Sequence, residues 1–133
     1  MPIITLTTDF GLKDSHIAAM KGVIWSIAPY VQIVDVTHLI SPQNVMEAAQ
    51  ILRRAAPYYP NGTIHIAVVD PGVGTERRPI AGRLGSHFVV GPDNGIFTGL
   101  LEDNERQGNR IEMVHLTRRQ YWLPQVSFVF HGR

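Results

Sequence analysis

Three short runs rich in β-branched residues, at positions 3–8, 31–36 and 63–69, alternate with stretches of helical periodicity. That alternation limits the fold more than any other feature of the chain. Runs of this length and composition suit strands buried on both faces of a sheet. Between the first two, residues 15–28 set Ile17, Met20, Ile24 and Ile27 or Ala28 on one helical face until Pro29. Between the second and third, Ser41-Pro42 reads as a capping hydroxyl followed by proline in the first turn. The helix it predicts runs through Val45, Ala48, Ala49, Leu52 and Ala56 to Pro57, and Pro60-Asn61-Gly62 is a turn. Farther on, residues 80–84 and 87–90 predict a hairpin about Gly85-Ser86. Residues 95–101 predict a short helix, and 111–116 and 127–130 two more strands. Strands alternating with helices predict an α/β fold, a three-layer sandwich around a mostly parallel or mixed central sheet. The chain shows no internal repeat, low-complexity tract or linker, and its 133 residues suffice for one domain with a core.

Composition narrows the function classes. With 44% apolar and 17% charged residues the chain is globular in character. It has no cysteine, so disulfides, thiolate metal sites and a cysteine nucleophile are excluded. The net charge is +1, and the arginine pairs at 53–54, 77–78 and 118–119 are isolated. They are expected to be solvated faces, and no nucleic-acid partner is expected, because phosphate backbones require clustered positive charge. No apolar run has the length of a membrane span, and MPIITLTTDF lacks the pattern of a signal peptide. No membrane partner is expected, and the cytoplasm is the expected compartment.

Polar residues gather where the strands end: Asp9, then Asp35 and His38, then Asp70, then Asp93-Asn94, and His131 after the last predicted strand. In sheets of this class, ligands bind beyond the carboxyl ends of the strands. Strand-end aspartates also cap helices and close turns, so each alone has a structural reading as well. Asp9-Phe10-Gly11 matches the magnesium-binding triplet of protein kinases, but the glycine-rich loop, strand lysine and His-Arg-Asp loop that accompany it are absent. In VVDPGVGTERRPI (68–80), Gly72 and Gly74 permit tight turns near a ligand. The stretch lacks the Gly-Lys-Ser/Thr of a phosphate loop and the third glycine of a dinucleotide fingerprint. Arg77 follows Asp70 by seven residues, so the loop either folds it back onto Asp70 or leaves a surface ion pair. In GPDNGIF (91–97), Asp93 or Asn94 is expected to cap the next helix, with ligand-facing amides as the other role. The six histidines have no metal-ligand spacing, so no metal is expected, and no Gly-x-Ser-x-Gly elbow is present.

Four stretches in order, TTDFGLKDSHIAAMKGVI, VVDPGVGTERRPI, GPDNGIFT and FHGR, resemble the N-terminal domain of the S-adenosyl-L-methionine hydroxide adenosyltransferases. These adenosine-forming hydrolases are relatives of the fluorinase and chlorinase. The resemblance implies cleavage of S-adenosyl-L-methionine to adenosine and methionine, with water attacking the ribose C5′ carbon and no cofactor. It implies that Asp9 holds the ribose hydroxyls without a metal. It puts a water-handling trio on Asp70, Arg77 and His131, and further substrate contacts on Phe10, Gln43, Pro71, Val73, Asn94 and Phe130. In the fluorinase, tyrosines stand at the places of Asp70 and His131 and a serine at that of Gly132, so this chain resembles the hydroxide-using branch. The family continues past the point matching Arg133 into a β-rich C-terminal domain, and forms trimers whose sites lie between subunits. Residues 1–133 are therefore expected to be an incomplete N-terminal domain, inactive or weakly active alone, with the oligomer of the short chain left open. A non-catalytic module that binds S-adenosyl-L-methionine or adenosine is the alternative. An aspartate-and-magnesium phosphotransfer domain is a third reading, weakened because no second aspartate stands two residues from Asp9.

Overall fold

The computed structural model describes residues 2–71, 77–118 and 120. Strand β1 (Ile3–Thr8) leads into helix α1 (His16–Ile27), strand β2 (Gln32–Thr37) and helix α2 (Val45–Ala55), which ends in a 3-10 turn at Ala56–Tyr58. Strand β3 (Ile64–Val68) and a hairpin of β4 (Pro79–Leu84) and β5 (His87–Pro92) follow, then helix α3 (Thr98–Arg106) and strand β6 (Ile111–His115). One six-stranded sheet forms in the order β2-β1-β3-β5-β4-β6. β1 is parallel to β2 and β3, and β3 to β5. β4 runs antiparallel to both β5 and β6, so the sheet is mixed. The predicted strand at 127–130 lies outside the described residues.

Side-chain alternation along the strands builds two cores. Ile4 and Leu6 of β1 and Ile64, Ile66 and Val68 of β3 face α1, where they meet Met20, Ala19 and Ile24. Ala67 and Val69 face the other way, toward Ala48 and Leu52 of α2 and Leu100 of α3. Helices therefore cover both faces, giving the three layers. Leu6 and Leu52 have no exposed surface, and burying each contributes about 2 kcal/mol. Of the two candidates for the last inward position of α1, Ile27 is 77% exposed and Ala28 packs inward.

Two helix starts differ from the sequence expectation. Ser41 does not cap α2. The cap is Asn44, whose side chain accepts the Glu47 amide at 3.0 Å. The reason lies one residue earlier: Gln43 has φ +62°, a left-handed conformation in which a helix cannot yet run. Similarly α3 begins at Thr98 rather than at Gly95, because Gly95 has φ +94°. Neither Asp93 nor Asn94 caps α3. Asn94 instead closes its own turn, accepting the Ile96 amide at 3.2 Å.

The connections explain where a ligand would lie. From β1 the chain passes through α1 to β2 on one side, then through α2 back across to β3 on the other. The strand order therefore reverses between β1 and β3. The carboxyl ends at such a reversal leave a crevice that neither crossover fills.

Candidate functional site

Asp9 follows β1 directly, and Asp70 stands two residues past β3. Thr8 and Val68 are register partners, so the two aspartates extend from neighbouring strand ends at the reversal. Asn94 joins them from the end of β5, its amide donating to the Val69 carbonyl at 2.9 Å. This close approach depends on Gly91. A Cβ there would press on the Ala67 carbonyl oxygen and lie 2.9 Å from the Phe97 ring.

The Asp9 carboxylate accepts the backbone amide of Gln43 at 2.8 Å, and that is its one hydrogen bond among the described residues. The left-handed backbone of Gln43 aims this amide across the loop after β2, so two neighbouring loops meet at Asp9. Phe10, beside it, packs on the α1 core and meets the His16 ring edge to face at 5.5 Å.

Arg77 does fold back onto Asp70. Its Nε and Nη2 donate to the same oxygen, Oδ2, at 2.7 and 2.6 Å. The Asp70 side chain is only 5% exposed and that of Arg77 16%, so this is no surface ion pair, and Arg77 departs from the expected solvated face. Burying a carboxylate this deeply demands a fixed cation, and the planar guanidinium supplies one with two donors. Its neighbour Arg78 stays exposed and pairs with Asp93 at 2.7 Å. Arg53 also has a partner: it grips Asp103 with two bonds of 2.9 and 2.8 Å, tying α2 to α3.

Behind Asp9 runs a polar chain whose connections sequence reasoning missed. Lys21 of α1 donates to Asp35 of β2 at 2.8 Å. The other Asp35 oxygen lies 2.7 Å from His38 Nε2, and His38 Nδ1 lies 2.8 Å from the Thr8 hydroxyl. Burial works to raise the Asp35 pKa, but the hydrogen bonds from Lys21 and His38 outweigh it and hold the carboxyl below its ordinary range. The available signal was the grouping of Asp35 and His38 at a strand end; the partner that matters, Thr8, is 30 residues away in sequence.

Pro71 is exposed in the turn after Asp70. Val73, Phe130 and His131 lie outside the described residues, as do Gly72 and Gly74. Among the described residues no three His, Asp or Glu side chains converge as a metal site would require, and no helix is long and apolar enough to cross a membrane.

The profile of the SAM hydroxide adenosyltransferase N-terminal domain matches residues 4–133. The chain belongs to this family. It is 46% identical over 132 residues to an (R)-S-adenosyl-L-methionine hydrolase of Salinispora tropica, a match covering 99% of this chain and 49% of that protein. A hydrolase of the same name from Thermus thermophilus is 50% identical over 130 residues, covering 95% of this chain and 50% of its own length. A fluorinase of Actinoplanes is more distant, at 30% identity over 77% of this chain. The crystal structure of a Thermotoga maritima protein superposes with a TM-score of 0.91 at 37% identity, covering 98% of this chain and 49% of that one. The chain thus spans about half the length of these hydrolase relatives.

Proposed function

We propose that the protein takes part in the hydrolysis of S-adenosyl-L-methionine to adenosine and L-methionine. The observation that carries the reading is the buried Asp70–Arg77 pair beside Asp9 at the strand reversal, in a chain of this family. In this reading Asp9 accepts the ribose hydroxyls, and the reacting C5′ carbon faces Asp70. The oxygen of a water molecule bonds to C5′ as the C5′–sulfur bond breaks. The electron pair of that bond moves to sulfur, and methionine leaves as a neutral thioether. A sulfonium leaves readily, so no general acid is required. The attacking water must lose a proton, and Asp70 or His131 accepts it. Arg77 remains protonated at any working pH. It holds Asp70 in place and stabilises the hydroxide character that develops on the water. Charge is neutralised as the nucleophile meets the sulfonium, so a dry site favours the step.

Phe10, Gln43, Pro71, Val73, Asn94 and Phe130 complete the substrate contacts in this reading. The chemistry needs no metal or cofactor. The protein acts in the cytoplasm, within a trimer whose sites are shared between subunits. The test is incubation of the purified protein with S-adenosyl-L-methionine, alone and with the family's C-terminal domain supplied, with adenosine and methionine followed by chromatography; the variant is compared in the active form. Asp70→Asn is expected to lower turnover by about 100-fold or more while leaving substrate affinity nearly unchanged. Wild-type turnover in that variant would remove Asp70 from the chemistry. Adenosine binding without product, even after the family's C-terminal domain is supplied, would favour a binding module instead.

A further inference from the structure

With a neutral His38 ring, the polar chain behind Asp9 has one consistent direction. Lys21 can only donate and an ionised Asp35 can only accept, so His38 must present a proton on Nε2 to Asp35. In the neutral ring Nδ1 is then an acceptor, and it takes the Thr8 hydroxyl proton. That leaves the lone pairs of the Thr8 oxygen for the Phe10 amide, which donates to it at 3.2 Å. The His38 backbone holds the same turn a second time, its carbonyl accepting the Gly11 amide at 2.8 Å. Asp9 is thus carried between two residues, Thr8 and Phe10, joined by the hydroxyl at the end of the chain. Thr8 is fully buried and His38 nearly so, and a half-satisfied network there would be costly.

We propose that Asp35 and His38 are positioning residues for Asp9, acting through the Thr8 hydroxyl to fix the turn that aims its carboxylate at the ribose. Lys21 keeps Asp35 ionised, Asp35 selects the His38 tautomer, and the tautomer sets which way the Thr8 hydroxyl points. The Phe10 amide then meets an oxygen whose lone pairs are turned toward it. The proposal rests on the reading of Asp9 as the ribose-binding carboxylate and extends it to residues that do not touch substrate.

Two substitutions at Thr8 separate the hydroxyl from shape. Thr8→Val keeps the branched outline and removes the hydroxyl; Thr8→Ser keeps the hydroxyl. Asp35→Asn breaks the chain at its far end, away from the Asp9 turn. Adenosine affinity is measured by calorimetry, and the amide signals of Phe10 and Gly11 and the ring nitrogens of His38 are followed by NMR. The expected result is a loss of about tenfold in adenosine affinity for Thr8→Val and for Asp35→Asn, the equivalent of one net hydrogen bond. Thr8→Ser is expected to stay within about twofold of wild type. Asp35→Asn should also shift the Phe10 amide and alter the His38 tautomer signature, which a general loss of stability does not do in the folded state. Should Asp35→Asn and Thr8→Val bind adenosine as wild type does, while Asp9→Ala does not bind it, the relay is overturned and the ribose reading stands. Equal binding by wild type and Asp9→Ala, or none by wild type, would overturn the ribose reading and this proposal with it.

Discussion

Asp9 is oriented by a backbone amide that no side-chain pattern announces. Gln43 adopts φ +62° so that its N–H reaches the carboxylate, a conformation costly for a residue with a Cβ. Two substitutions divide the roles. Gln43→Gly keeps the amide and relieves the backbone, so chemical denaturation should show unchanged stability or a gain of up to about 1 kcal/mol. A loss larger than that would mean the glutamine side chain itself holds the loop. Asp9→Ala removes the carboxylate together with its bond to the Gln43 amide, and is expected to weaken adenosine and S-adenosyl-L-methionine alike in calorimetry. Unchanged adenosine affinity would exclude the ribose role. Much of the candidate site is legible in sequence: Asp9, Asp70 and Asn94 stand as polar groups at strand ends, and the seven-residue spacing lets Arg77 return onto Asp70. Gln43 entered by family resemblance alone, and nothing in its side chain pointed to a left-handed backbone. The Thr8 hydroxyl was invisible for another reason: its partner His38 is brought to it only by the parallel register of β1 and β2.

At the scale of elements, β-branched runs and helical spacing located the strands and helices, because both periodicities are local. The starts of α2 and α3 were misplaced because each is decided by a left-handed residue, Gln43 or Gly95, whose conformation serves the loop rather than the helix. Local chemistry then favours Ser41-Pro42 as the α2 start, and tertiary demand delays it. The consequence is measurable. Asn44→Ala should cost about 1 kcal/mol in urea denaturation, since it leaves the Glu47 amide without its cap, whereas Ser41→Ala should cost little. The reverse ranking would restore Ser41 as the cap. Gly91 is a second element-scale constraint, unreadable in sequence because it acts between strands. A methyl group there meets the β3 backbone, which cannot yield as a flexible side chain would. Gly91→Ala is expected to destabilise by about 1–3 kcal/mol, the range for an overpacked core. Adenosine binding should weaken in parallel, because Asn94 is brought to Val69 by the same approach.

For the molecule as a whole, one buried histidine couples stability to pH. His65 of β3 is 1% exposed. Its Nδ1 lies 2.7 Å from the Thr5 hydroxyl, and its Nε2 lies 3.1 Å from His87 Nδ1. His87 Nε2 in turn lies 3.1 Å from the Tyr59 carbonyl, so the chain fastens the turn after α2 to the sheet. Each histidine fits this chain as a neutral ring with its proton on Nε2. Burial, assisted by the positive charge His87 would carry, pushes the His65 pKa down from 6.5 to about 4. Between those values the unfolded chain binds a proton that the folded protein refuses, so stability must rise with pH across that window. The contribution is complete above about pH 6.5, is lost progressively as pH falls toward 4, and amounts to on the order of 3 kcal/mol. Carboxylates whose pKa is lowered, Asp35 and Asp103 among them, release their stabilisation only below their ordinary value of 3.8, so the two effects separate on the pH axis. Urea unfolding of the wild-type protein from pH 4 to 8 should show the slope, and His65→Asn should flatten it. The slope is the decisive quantity, because it survives any uniform loss of stability in the variant. A wild-type unfolding free energy that stays flat between pH 4 and 6.5 would mean that the interior admits the charge, and that the histidine chain opens without weakening the sheet.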